Sequence, residues 1–442
     1  MGQFKFSRYN ILFTVDGGNY VYNTLSTALA GLDHETFSAF KEKDVGKIKP
    51  DMIGVLLEQH FLVPIQDREV DEYLYFYNRT RFGKNSKSFA LNFIPSYNCN
   101  LACPYCLQGH TKQAKNISQD EIDRILLFAD RTLLYSREKD VPITAMYVHL
   151  YGGEPMLQKN ALFSFADGIS RIVKKYSCSV SFSMTSNLTL LDDEMIAFMA
   201  KYKIMTQVSI DGEKEDHDAR RIFKNGNGTY DIIVNNLKKL RDNGLKDLVV
   251  IRLNIDEKNI VNAEKIMAAV HAYSVDVYFG FLASFKGYND MFVEQCIAAE
   301  LYPKIVGIQF NEIYKKYGYQ IPQPFGKMIP CSLATENKYF VDCFLDVYKC
   351  ELLLNNPTAK VGVIDENGKL VPNNNFYRQM RHSPEMFPEC LKCTLLPLCA
   401  GGCAAKPYIA SAKNDGLLDS KHCMFTESSL ITYLSNYIRS IA

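Results

Sequence analysis

The sequence predicts an α/β protein built on a partial (β/α)6, TIM-like barrel, with a small module before it and a cysteine-rich module after it. Three observations carry this expectation. From Phe89 to Leu282 six apolar, strand-like runs alternate with helical patterns, the rhythm of a parallel sheet covered by helices. Residues 1–82 contain no cysteine and open on a strong hairpin signal, Asp16-Gly17-Gly18-Asn19. After about Pro322 the helical rhythm weakens and eight of the 13 cysteines crowd together. The boundaries drawn from these shifts are 1–85, 86–320 and 321–442.

In the first module "YNILFTVDGGNYVYNT" reads as a β-hairpin. "STALAGLD", "ETFSAFKE" and "KPDMIGVLLEQHFLV" space their apolar residues by three and four, so short helices are expected after it. "YLYFYNRTRFGKNSKS", Tyr73 to Ser88, reads as an extended segment running into a linker. In the barrel, strand "FALNFIPS" precedes helix "SQDEIDRILLFADRTLLYS", and "AMYVHLYGGEP" precedes "ALFSFADGISRIVKKYS". The series continues with "SVSFSMTSN", "MTQVSIDG" and "LVVIRLNI", each followed by a helix, and closes on "DVYFGFL". Chemistry in such a barrel gathers at the carboxyl ends of the strands, where "YNCN", "GGEP", "TSN" and "SIDG" all fall.

A chain of 442 residues with 47% hydrophobic content has room for two or three domains with cores of their own. Fifty lysines and arginines balance 49 aspartates and glutamates, so net charge gives no push toward nucleic acid or an anionic membrane. No apolar run approaches the eighteen or so residues of a membrane span, and Met1 opens no charged-then-apolar leader. A cytoplasmic protein without membrane partners is expected. In a reducing compartment its cysteines point to metal or redox chemistry rather than disulfides.

"NCNLACPYCLQGH" sets Cys99, Cys103 and Cys106 in the spacing CxxxCxxC, with Tyr105 before the last. Thiolates this close suit one soft metal centre. Zinc completed by His110 is one reading. Position in the first βα loop favours a catalytic iron–sulfur site. CxxxCxΦC after a first strand, with Gly152-Gly153-Glu154-Pro155 after a second, resembles the radical S-adenosylmethionine (radical SAM) superfamily. The resemblance implies that the three thiolates hold a 4Fe–4S cluster whose open iron takes S-adenosylmethionine. One electron then releases a 5′-deoxyadenosyl radical that abstracts hydrogen.

The same resemblance assigns the cofactor loops. Tyr105 is the aromatic of the cysteine motif, and Gly152, Gly153 and Glu154 resemble the loop that binds the methionyl amino group. Ser186 and Asn187, then Ser209 and Asp211, end the next strands with short polar side chains suited to ribose hydroxyls. "SIDGEKEDHDARR" resembles the family's S-[IL]-D-G-x4-HDxxR segment, which places Arg221 on the cofactor carboxylate, with adjacent Arg220 the alternative.

In the last module "CLKCTLLPLCAGGC" gives Cys390, Cys393, Cys399 and Cys403, with Cys423 beyond and Cys331, Cys343 and Cys350 before. A zinc ribbon is one reading, but only one CxxC pair is present. The set resembles the SPASM extension of radical SAM enzymes, which carries two auxiliary 4Fe–4S clusters, so three clusters are expected in all. That pattern gives Cys331, Cys350 and Cys403 to the first auxiliary cluster and Cys390, Cys393, Cys399 and Cys423 to the second. The fourth ligand of the first is either Cys343 or an open iron. The family commonly has glycine five residues before Cys350, and Leu345 stands there, so a differently built turn is expected. Glu351 is the candidate catalytic base, by analogy with an aspartate beside this cysteine in sulfatase-maturing enzymes. Cys178 and Cys296 match no ligand position and are read as buried thiols.

The amino-terminal module resembles the winged-helix-like element that binds leader segments of ribosomally made peptides. "KPDMIGVLLEQH" is not basic, which disfavours a DNA-binding winged helix. The function expected is that of an oxidoreductase maturing a precursor peptide, with a flavodoxin or ferredoxin as electron donor. A thioether cross-link is the first choice, and a carbon–carbon or ether cross-link the second. Sulfatase-type maturation and a non-enzymatic, metal-binding DNA sensor are the rivals.

Overall fold

The structure is a computed structural model that describes residues 3–82, 87–106, 108, 115–273, 275–282, 305–321, 330–405, 423 and 426–441. The chain begins with β1 (Phe4–Phe6), β2 (Asn10–Val15), β3 (Gly18–Asn23), β4 (Leu29–Leu32), α1 (His34–Glu42), α2 (Pro50–Glu58), β5 (Leu62–Pro64) and α3 (Glu69–Arg81). β2, β3 and β4 form an antiparallel sheet, and β1 pairs with β5. The β2–β3 turn is Asp16 and Gly17, both at positive φ (49° and 84°), a geometry that matches the twist of the strands it joins.

Two expectations fail in this module. "STALAGLD" supplies a strand: Leu29–Leu32 pairs with Asn19–Tyr22, and the helix starts only after Asp33, whose carboxylate accepts from the Thr36 backbone N–H at 2.7 Å. Most of the segment read as extended from Tyr73 is α3. Tyr73, Tyr77 and Arg81 recur every four residues on one buried face, with three acidic residues in the first turn and two arginines in the last. The β-propensity of its aromatics concealed that period.

The six expected barrel strands are present and all parallel, in the order β11-β10-β9-β8-β7-β6. They are β6 (Ser88–Ile94), β7 (Ala145–Leu150), β8 (Ser179–Ser186), β9 (Met205–Ile210), β10 (Val249–Ile255) and β11 (Asp276–Phe281). Between them run α4 (Gln119–Glu138), α5 (Lys159–Lys175), α6 (Asp193–Tyr202), α7 (Lys214–Asp218), α8 (Tyr230–Asp242) and α9 (Ala263–His271). α4 starts at a capping box, Ser118 and Glu121 each accepting from the other's backbone. Alternate strand residues such as Leu91, Phe93, Leu150 and Ile251 are fully buried beneath these helices, where Phe93 stacks on Phe165 at 4.0 Å. The residues between them face the barrel interior.

The sheet does not stop at residue 320. β12 (Lys338–Asp342) lies parallel beside β6, and β13 (Asp346–Tyr348), β14 (Gly362–Ile364) and β15 (Leu370–Pro372) extend it antiparallel to ten strands. The cysteine-rich segment therefore adds its strands to the barrel sheet beside β6. In the β12–β13 turn Leu345 occupies the left-handed conformation, at φ 61°, a region that ordinarily favours glycine. Its side chain is 4% exposed in the main core, and that burial offsets the backbone strain.

The remaining described helices are α10 (Asn311–Lys316), α11 (Asn374–Arg381), α12 (Leu396–Cys399) and α13 (Glu427–Ile441). Ile11, Phe13 and Tyr22 share a small core with Leu395, Leu398, Leu430 and Leu434, so the two ends of the chain pack together. Among the described residues no helix is long and apolar enough to cross a membrane.

Candidate active site and cysteine clusters

Cys99, Cys103 and Cys106 line one cavity of about 530 Å³ at the carboxyl ends of the barrel strands. Their loop is fixed by close backbone contact with the loop after β7. A Cβ on Gly152, whose φ is 150°, would lie 2.6 Å from the Ser96 carbonyl oxygen, and one on Gly153 would lie 2.2 Å from that of Asn98. Only glycine permits this approach. The Glu154 backbone N–H donates to the Asn98 carbonyl at 2.8 Å. From β8, the Asn187 side-chain amide donates to Asn100 Oδ1 at 2.9 Å, and the Asn100 amide donates to Thr189 Oγ1 at 2.7 Å. Burial pushes the Cys103 thiol up to about 11, opposed by the Arg221 guanidinium.

Of the predicted cofactor-binding residues, Tyr105, Gly152, Gly153, Ser186, Asn187, Ser209 and Arg221 line this cavity. Glu154 and Asp211 do not. Glu154 is 1% exposed, and its carboxylate accepts from the backbone N–H groups of Met156 (3.0 Å) and Asn187 (2.7 Å) and from Ser186 Oγ (2.8 Å). It staples the GGEP loop to the end of β8. Burial raises its carboxyl above the usual range, against the pull of those donors.

Asp211 is fully buried and holds other groups in place. It accepts from Tyr105 Oη at 2.5 Å and from the Asn254 amide at 2.8 Å. Arg221 Nη1 in turn donates to Tyr105 Oη at 2.8 Å. The two adjacent arginines are placed differently, although both approach Asp211, at 3.7 Å and 3.9 Å. Arg220 turns inward, pairing with Asp256 at 2.6 Å and lying 3.7 Å from Asp211, whereas Arg221 faces the cavity.

Several cavity residues were not singled out from the sequence: Gln108, His149, Gln207, Arg252 and Asn254. His149 contacts Ser183 Oγ at 2.8 Å and Thr185 Oγ1 at 3.2 Å. Burial, then the Lys338 charge, lowers its imidazole to about 4, so it is neutral at physiological pH. Their signal was present, because His149, Gln207 and Arg252 are polar residues at alternate positions of otherwise apolar strands. Glu351 reaches the same cavity from the carboxyl-terminal segment.

Residues 93–270 match the Radical SAM superfamily. The chain carries a radical SAM domain. Over 348 residues it is 23% identical to the mycofactocin maturase MftC of Mycolicibacterium smegmatis, spanning 73% of this chain and 79% of that protein. Over 377 residues it is 22% identical to a cysteine-type anaerobic sulfatase-maturating enzyme of Clostridium novyi, spanning 79% of this chain and 98% of that protein. Its fold resembles that of Streptococcus suis SuiB bound to the precursor peptide SuiA, with a TM-score of 0.53 and 15% identity over 94% of this chain and 99% of that one.

The three thiols of the radical SAM domain stand around one open cavity, a donor set suited to a 4Fe–4S cluster with a vacant iron. Among the described residues no three His, Cys, Asp or Glu side chains close on a single metal ion. A four-iron cluster asks for a wider triangle, since each thiolate binds a separate iron. His110, the alternative zinc ligand, lies outside the described residues, as does Cys296.

Cys331, Cys350 and Cys403 pack around one small core of Leu333, Leu353, Ala404 and Ala405. Burial raises the thiols of Cys331 and Cys350. Cys343 is not among them. It is fully buried in the main barrel core beside Asp342, because its turn tucks it under the sheet, apart from the small core that holds the other three. Asp342 fixes that turn, accepting from the backbone N–H groups of Phe344 (2.9 Å) and Asp346 (3.0 Å) and from Tyr97 Oη (2.8 Å). Cys390, Cys393 and Cys399 follow one another through a short helical turn closed by Ala400 at φ 52°. Cys423 is exposed, and its neighbours at 406–422 and 424–425 lie outside the described residues. Cys178 is buried, as expected.

Proposed function

We propose that this chain is a radical SAM peptide maturase that cross-links a ribosomally made precursor peptide. One observation carries the reading. Glu351 lines the same cavity as Cys99, Cys103 and Cys106, so the cysteine-rich segment delivers a carboxylate to the site where a radical would form. The relationship to a mycofactocin maturase supports a peptide substrate.

When bound, the cluster supplies the electron that cleaves S-adenosylmethionine to a 5′-deoxyadenosyl radical. The chain's own residues orient the cofactor. Arg221, held by Tyr105, meets its carboxylate, the Gly152–Gly153 backbone meets its amino group, and Ser186 and Ser209 meet its hydroxyls. Glu351 takes the proton released as the substrate radical is oxidised. Cys331, Cys350 and Cys403 would hold one auxiliary cluster, and Cys390, Cys393, Cys399 and Cys423 the other, which would supply a route for the electrons leaving the substrate, with a flavodoxin or ferredoxin as the electron donor for cofactor cleavage.

The leader binds at the amino-terminal module, where β4 is a sheet edge able to accept an added strand. α2 carries no basic residue, which disfavours a DNA-binding sensor. A thioether is the first product expected and a carbon–carbon or ether cross-link the second. Sulfatase-type maturation leaves the amino-terminal module without a role. Co-expression with a short peptide encoded beside the gene tests the proposal. Mass spectrometry is expected to find two hydrogens lost per cross-link, and an unmodified peptide under anaerobic conditions would count against it.

A further inference from the structure

Three tyrosine hydroxyls of the amino-terminal module are buried beside the carboxyl-terminal cysteines with no hydrogen-bond partner among the described residues. Tyr9, Tyr73 and Tyr77 are 0%, 6% and 4% exposed, and each Oη lacks an acceptor. A buried hydroxyl left unpaired is destabilising, and native structures seldom tolerate three together. All three belong to one core with Phe387, Cys390, Leu396 and Ala400. The Tyr73 hydroxyl lies within electrostatic reach of the sulfur atoms of Cys390 and Cys399, that of Tyr9 within reach of Cys393, and that of Tyr77 within reach of Cys331. Tyr73 and Tyr77 are one turn apart on α3, their ring centroids 6.0 Å from each other. One helix face thus places two buried hydroxyls in the core that holds Cys390.

We infer that the tyrosines of this core, Tyr73 foremost with Tyr9 beside it, are hydrogen-bond donors to the auxiliary cluster on Cys390, Cys393 and Cys399. The inference rests on the auxiliary clusters proposed above. It gives the orphaned hydroxyls their acceptors, the thiolate and sulfide sulfurs that a cluster places in this core. It also makes the amino-terminal module part of the redox apparatus. A one-electron reduction leaves a cluster more negative, so a neutral phenol donating to its sulfur stabilises the reduced form and raises the potential. The phenol keeps its proton throughout. These are positioning residues, since they touch neither substrate nor the radical.

The test is anaerobic potentiometry, followed by electron paramagnetic resonance, on the full reconstituted chain. Tyr73→Phe is compared with wild type and with Tyr75→Phe, a change on the exposed side of the same helix. In Tyr73→Phe one auxiliary cluster is expected to become harder to reduce, its reduced-to-oxidised ratio falling about tenfold at fixed potential, or about 59 mV for one electron. The other clusters and Tyr75→Phe stay unmoved. Full iron loading with no shift in Tyr73→Phe would overturn the inference and leave the clusters standing. About four irons per wild-type chain, instead of about twelve, would remove the auxiliary clusters and the inference with them. Should Tyr73→Phe fail to retain iron, Tyr9→Phe reads the same cluster from its Cys393 side, and an unshifted potential there is equally decisive.

Discussion

Cys99, Cys103 and Cys106 ride on a loop pinned by backbone, with two glycines letting the GGEP loop come within touching distance and the asparagines of two loops locked together. Cys390 and Cys393 sit instead against aromatic side chains contributed by the other end of the chain, Cys393 beside Leu395, Leu398, Leu430 and Leu434. The first arrangement opens on a cavity, whereas in the second Cys390 is buried and Cys393 and Cys399 are half-buried. The contrast is between a centre positioned by main chain, as one that admits a cofactor would be, and thiols packed against side chains.

Cys99→Ala separates the two regions most sharply. S-adenosylmethionine cleavage is expected to vanish, while about eight of about twelve irons remain by iron and sulfide analysis. Retained cleavage would break the assignment of the open site. Gly153→Ala puts a Cβ into the Asn98 carbonyl, and a displaced loop should slow 5′-deoxyadenosine formation about 100-fold with iron content unchanged.

The two adjacent arginines divide binding from stability. Arg221→Lys loses the fork that matches a carboxylate, and calorimetry should record about tenfold weaker S-adenosylmethionine binding. Arg220→Gln leaves Asp256 without its buried ion-pair partner, and denaturant unfolding should report a loss of about 3 kcal/mol. The smallest effect is at the turn in the sheet. Leu345→Gly relieves about 1 kcal/mol of left-handed strain but forfeits about 3 kcal/mol of burial, a net destabilisation of about 2 kcal/mol. A stabilised variant would mean that strain, not packing, dominates there.

The barrel was legible because its strands and helices carry unbroken periods, and because CxxxCxxC, GGEP and SIDG each stand at a strand's carboxyl end. What escaped has identifiable causes. α3 was hidden by tyrosines that read as strand formers, although Tyr73, Tyr77 and Arg81 hold a helical spacing. Glu154 and Asp211 look like ligands in any reading by type, yet a carboxylate at a strand end can turn toward the cavity or into the loops, and both turn into the loops. β12 joins the barrel through a pairing between residues 338–342 and 90–94, a separation that no local pattern encodes. For the same reason chain spacing does not reveal that the hairpin turns Cys343, one of two candidates for the fourth ligand, into the core.

The central claim is that one chain holds an open cluster for S-adenosylmethionine and two auxiliary ones. Anaerobically reconstituted full-length protein, assayed together for iron, sulfide and reductive formation of 5′-deoxyadenosine, tests it most directly. About twelve irons per chain with 5′-deoxyadenosine formed under reduction is the predicted result. Stoichiometric zinc, with no cleavage of the cofactor, would contradict it.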